Sequence, residues 1–172
     1  MELMLAGLLA AVALGLPAAP QQACQPTRAD ALGPFYVPNA PRRASVGSGH
    51  VLTGVVRSLR DCEPIAGARI ELWLVGPNGR YDAAHRATVI SSRTGAYRFT
   101  SNVPRAYESR PPHIHLRVTP PNHRTLVTQF YPRRGHTRGT FALILVARGF
   151  EPAGGNLRFP PTSPPSLAEC CS

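Results

Sequence analysis

The chain has 172 residues and a formal charge of +10, from nineteen basic residues against nine acidic ones. All nineteen are arginines, scattered in runs no longer than two and not interleaved with aromatics, which argues against a nucleic-acid surface. The length suits one domain with its own core, and the surplus charge suits attraction of anionic ligands or surfaces.

In chain order, the apolar stretch from Leu3 to Leu16 is too short to span a membrane, and small residues and proline follow it. Residues 1–23 therefore read as a secretory signal and the chain as exported, periplasmic or extracellular, with no stable membrane span once the signal is removed. No Lys or Arg precedes the apolar run, so an uncleaved N-terminal anchor is the alternative. Residues 24–49 are rich in proline, glycine and polar side chains and read as an extended arm, punctuated by GPFYVP at 33–38.

Residues 50–150 hold short strand-like runs: HVLTGVVRS, ARIELWLV, RATVIS, GAYRFT, HIHLRVT, RTLVTQFY and TFALILVA. Turn signals separate them, among them PNG at 77–79, RTG at 93–95 and TPPN at 119–122. This pattern predicts an all-β fold, an antiparallel β-sandwich of about seven to nine short strands with long functional loops. Residues 151–172 form a Pro-, Gly- and Ser-rich tail, expected to be disordered. Of the cysteines at 24, 62, 170 and 171, Cys24 and Cys62 could form a disulfide in an oxidising compartment, pinning the arm to the sandwich. Three fully paired arrangements remain open.

Alternation assigns faces within the runs. Ile114, Leu116 and Val118 point together toward a core, so His113, His115 and Arg117 point away from it. Two histidines at i and i+2 project their rings in parallel and can share a metal ion. Arg110, Pro111 and Pro112 give the strand a rigid approach, because proline fixes its own φ and restricts its predecessor. The nine acidic residues are dispersed and HExxH is absent, so no zinc or calcium pattern completes the site. Tyrosine is what the chain offers. Tyr97 alternates with Phe99 and reads as core, and Tyr131 ends a strand where it could pack or line a cleft. Tyr81 and Tyr107 lie in turn contexts from which a phenolic oxygen can reach a metal. Phenolate oxygen combined with imidazole favours a hard trivalent cation such as Fe(III).

The segments PNGRY (77–81), GAYRF (95–99), VPRAYESRPPHIH (103–115) and LVTQFY (126–131) together resemble the intradiol ring-cleavage dioxygenases, of protocatechuate and catechol dioxygenase type. GPFYVP and PIAGARIELW (64–73) extend the likeness over about 33–147. The resemblance implies one non-haem Fe(III) per chain, held by Tyr81, Tyr107, His113 and His115. It implies that Arg110 stabilises developing charge, that Gln129 lines the pocket, and that Trp73 and Tyr36 border the substrate. Tyr107 is also implied as a base for a substrate hydroxyl. The expected partners are a catechol-type aromatic and O2, with both oxygen atoms inserted between the hydroxyl-bearing carbons to give a cis,cis-muconate-type product. Nucleic acid is not expected, and a homo-oligomer is left open.

The chain departs from the family pattern at Glu108, where many relatives carry proline, and in the basic segment PRRGHTRG after Tyr131. Two rival readings remain. One is a non-catalytic transthyretin-like or carboxypeptidase-regulatory-like sandwich module, which PIAGARIELW and G-x-Y-x-F would also suit. The other is a copper protein using His113 and His115 with His85 or His123.

Overall fold

A computed structural model describes residues 24–151. The signal-like segment 1–23 and residues 152–172, with Cys170 and Cys171, lie outside the described residues. Eight strands form two sheets: β1 (Gly49–Ser58), β2 (Arg69–Trp73), β3 (Arg86–Ile90), β4 (Ala96–Asn102), β5 (Ile114–Thr119), β6 (Leu126–Phe130), β7 (Arg138–Thr140) and β8 (Leu143–Leu145). One sheet runs β4-β1-β7, with β8 also paired to β1; the other runs β3-β2-β5-β6. The fold is the all-β sandwich that the alternation predicts.

Alternate residues of each strand meet between the sheets. Leu52 and Val56 of β1 and Phe99 of β4 face Ile70 and Leu72 of β2 and Leu116 and Val118 of β5, all fully buried. Tyr97 joins this core, as expected, and its hydroxyl donates to the Phe141 carbonyl at 2.7 Å.

TFALILVA reads as one strand but supplies only Thr140 at the end of β7 and then the three residues of β8. β7 and β8 both run parallel to β1, unlike the antiparallel pairs elsewhere, and Phe141 and Ala142 break the line between them. The cause lies on β1. The Phe141 carbonyl oxygen sits 1.9 Å from where a Cβ of Gly54 would stand, so the buckled chain occupies space that only glycine leaves.

The arm crosses the outer face of the second sheet. Thr27 N donates to the Ile144 carbonyl on β8, Asp30 N to the Val127 carbonyl on β6, and Thr88 N on β3 to the Pro41 carbonyl. Val46 N then reaches Thr100 on β4. Cys24 and Cys62 are joined by a disulfide, Cα–Cα 5.8 Å, which ties the arm to the segment after β1. Both faces of the β3-β2-β5-β6 sheet are thereby covered, and side chains pointing away from the core are still buried. No helix among the described residues is long and apolar enough to cross a membrane.

Candidate active site

His113 and His115 project from the outer face at the head of β5 and are 2% and 3% exposed. Tyr81 arrives from the loop between β2 and β3, which a one-turn 3-10 helix (Ala83–His85) closes and Asp82 caps by accepting from His85 N. Three heteroatoms converge: Tyr81 Oη lies 3.0 Å from His113 Nε2 and 3.3 Å from His115 Nε2, and the two Nε2 atoms are 3.1 Å apart. His113 Nδ1 is 2.7 Å from the Pro111 carbonyl, which can only accept, so Nδ1 carries the proton and Nε2 presents a lone pair to the cluster.

Burial sets the charge state of the three. It lowers the pKa of His115 to about 3, helped by His113 and Arg110 and weakly opposed by Asp30 and the Ala31 backbone. Burial also lowers His113, against the Pro111 bond. The Tyr81 phenol is raised to about 12 by burial and by Tyr107, against the pull of Arg110 and Arg86. Without a cation the cluster is one phenol and two neutral imidazoles. Two protons at most are shared among three short contacts, so at least one contact holds no hydrogen bond. A cation fits that arrangement, and an anionic oxygen with two imidazoles suits a hard one.

Tyr107 comes to the cluster with its ring and not its hydroxyl. The ring stands edge-on to Tyr81 at 5.2 Å and to Phe35 at 5.3 Å. The neighbouring Glu108 carboxylate, as a hydrogen-bond acceptor and a charge, raises the phenol's pKa, and no hydrogen bond joins the hydroxyl to the three converging atoms. The loop closes on itself, with Tyr107 N donating to the Arg110 carbonyl and Arg110 N to the Tyr107 carbonyl. Glu108 has φ +52°. A proline, locked near −65°, could not take that conformation.

Beside the cluster, Arg110 Nη2 donates to Gln129 Oε1 and to the Tyr131 hydroxyl, each at 2.9 Å. Tyr131 Oη in turn lies 2.9 Å from Asp30 Oδ2, and Gln129 Nε2 donates to the Ala31 carbonyl. Trp73, His115 and Gln129 form one row across β2, β5 and β6, because the register sets them opposite each other. The Trp73 indole stacks on the His115 ring at 4.8 Å and 2° between planes. From the arm, Phe35 stacks on Tyr81 at 4.5 Å. Gly33, at φ +72°, brings its backbone so close that a Cβ would stand 3.0 Å from His115 Cε1. Tyr36 packs on Trp73 at 5.2 Å, its hydroxyl donating to Glu71.

Seven of the eight residues singled out from sequence thus gather in one region, and Tyr107 joins them through its ring alone. Asp30, Gly33 and Phe35 went unread; the signal for Gly33 and Phe35 was the position of GPFYVP within an otherwise polar arm, and Asp30 had none. His85 is held by Asp82 at 2.7 Å, and His123 lies at an isolated bridge to Ala147, so neither hydrogen-bonds the histidine pair. No group of three or more His, Cys, Asp or Glu able to hold a metal occurs among the described residues.

No family model matches the chain. An intradiol ring-cleavage dioxygenase of Aspergillus niger is 29% identical over 143 residues, taking in 62% of this chain and 45% of that protein. A catechol 1,2-dioxygenase of Candida albicans is 32% identical over 136 residues, with 58% and 45% covered. The chain spans about half the length of the curated relatives it matches. Among solved structures, the dioxygenase domain of a dioxygenase carbohydrate-binding protein fusion from Streptomyces sp. SirexAA-E superimposes with TM-score 0.63 at 26% identity, over 72% of this chain and 99% of that one. The curated relatives and structural neighbours are intradiol ring-cleavage dioxygenases.

Proposed function

We propose that this chain is itself an intradiol ring-cleavage dioxygenase, acting on a catechol-type aromatic with O2 and one non-haem Fe(III). The observation that carries the reading is the convergence of Tyr81 Oη, His113 Nε2 and His115 Nε2 within 3.0–3.3 Å on a covered sheet face. Tyr81, His113 and His115 would hold the iron, with Tyr107 the nearest further phenol. Ferric iron held there would supply Lewis acidity toward a bound diol. The product expected is a cis,cis-muconate-type diacid carrying both oxygen atoms.

The chain's own residues do the rest. Arg110 keeps a fixed positive charge beside the cluster, its guanidinium oriented by Gln129 and Tyr131, where negative charge grows on the substrate. Phe35 packed on Tyr81, with Trp73 and the Gly33 backbone packed on His115, covers the cluster and screens it from water. The Tyr107–Glu108 pair stands at the rim, where the Glu108 carboxylate can accept a proton passed through Tyr107 Oη from a substrate hydroxyl. Export is part of the reading, and the Cys24–Cys62 disulfide fits an oxidising compartment.

The test is to load the full chain with Fe(III). A tyrosinate-to-iron band should colour the protein burgundy, and Tyr81→Phe should lose the colour while keeping the fold. Catechol, hydroxyquinol and protocatechuate are then offered with labelled O2, and both labels should appear in a ring-opened diacid. A colourless preparation that opens no ring would sink the enzyme and leave a binding module.

A further inference from the structure

The outer sheet face holds a buried carboxylate that this reading leaves unused. Glu71, one pleat along β2 from Trp73, is 3% exposed and takes four donors. Oε2 accepts from the Tyr36 hydroxyl and from Arg117 Nη1, each at 3.0 Å. Oε1 accepts from Asn39 N at 3.3 Å and from Arg69 Nη2 at 3.0 Å. Tyr36 and Asn39 belong to the arm, whereas Arg69 and Arg117 belong to the sheet, so one carboxylate fastens the arm down. Arg117 also lies over the Tyr36 ring at 5.5 Å. Burial opposes the charge of Glu71, but bonds from Arg69, Tyr36 and Arg117 outweigh it and hold the pKa below the ordinary value.

What the carboxylate fastens leads straight to the cluster. Tyr36 packs on Trp73, and Trp73 stacks on His115. The Gly33 backbone closes on the same imidazole. We propose that Glu71 is a positioning residue of the site. Acting through Tyr36, it seats the arm so that Trp73 and Gly33 hold the His115 ring, and so sets how tightly the site receives its diol. The effect on diol binding rests on the dioxygenase reading; the seating of the arm does not.

Trp73 is the only tryptophan, so its emission reports the seating without metal or activity. In the full chain, Glu71→Gln and Tyr36→Phe are compared with wild type for acrylamide quenching and for KM and kcat of ring cleavage. Wild-type emission should resist quenching, and both variants should become quenchable with far-UV dichroism unchanged. KM should rise roughly tenfold in Glu71→Gln and less in Tyr36→Phe, with kcat moved less than KM. The double variant should be no worse than Glu71→Gln, because both act through one linkage. Unchanged quenching overturns the proposal, and so does increased quenching with wild-type KM. If Glu71→Gln does not fold, Tyr36→Phe decides by the same two readings. If wild type opens no diol, the dioxygenase reading fails, and quenching still decides whether Glu71 seats the arm.

Discussion

At the scale of single residues, Arg110 and His50 separate chemistry from stability. Arg110 hydrogen-bonds Gln129 and Tyr131 and none of the three converging atoms, so removing it leaves all three in place. Arg110→Ala should retain iron and its colour but lose turnover by about 10²–10³, the usual cost of deleting a charge aimed at the transition state. Iron content measured beside kcat checks this, and wild-type turnover would refute the role. His50 is 1% exposed, packed near Phe130 at 5.9 Å, with neither ring nitrogen hydrogen-bonded. Burial holds its pKa below 6.5. The unfolded chain therefore takes up a proton that the folded chain refuses, and stability falls as pH drops through 6.5 toward the folded pKa. His50→Leu should flatten that fall and add about 1 kcal/mol at neutral pH, read from urea unfolding across pH.

At the scale of elements, what was legible followed from local pattern. Strand positions and the H-x-H pair could be read because alternation is a property of neighbours along the chain. The split of TFALILVA could not, because it depends on Gly54, which lies on another strand. Nor could the burial of His113 and His115: alternation says which way they point, not that an arm some 80 residues earlier covers them. The Tyr131–Asp30 contact spans 101 positions and has no local trace. Tyr107 was legible as a loop phenol, while the left-handed turn at Glu108 that directs its hydroxyl was not. The split predicts its own test. Gly54→Ala would drive a methyl into the Phe141 carbonyl and the Tyr97 ring, costing roughly 3 kcal/mol. Thermal unfolding reads that loss, and an unchanged midpoint would mean that β7 and β8 can part without cost.

At the scale of the whole molecule, the disulfide and the arm act as one. Cys24–Cys62 closes a loop of 38 positions containing the arm residues that meet the cluster. Opening it by Cys24→Ser should lower stability by about 2–4 kcal/mol, measured by denaturant unfolding. The sandwich carries the three converging donors, whereas the strap laid over them carries Gly33, Phe35 and Tyr36. Donor atoms and their cover thus sit on separate stretches of polypeptide. Cover and donors can be altered one at a time: a change at residues 34, 37 or 38 reaches the strap while the Gly33, Phe35 and Tyr36 contacts that hold His115 and Tyr81 stay in place.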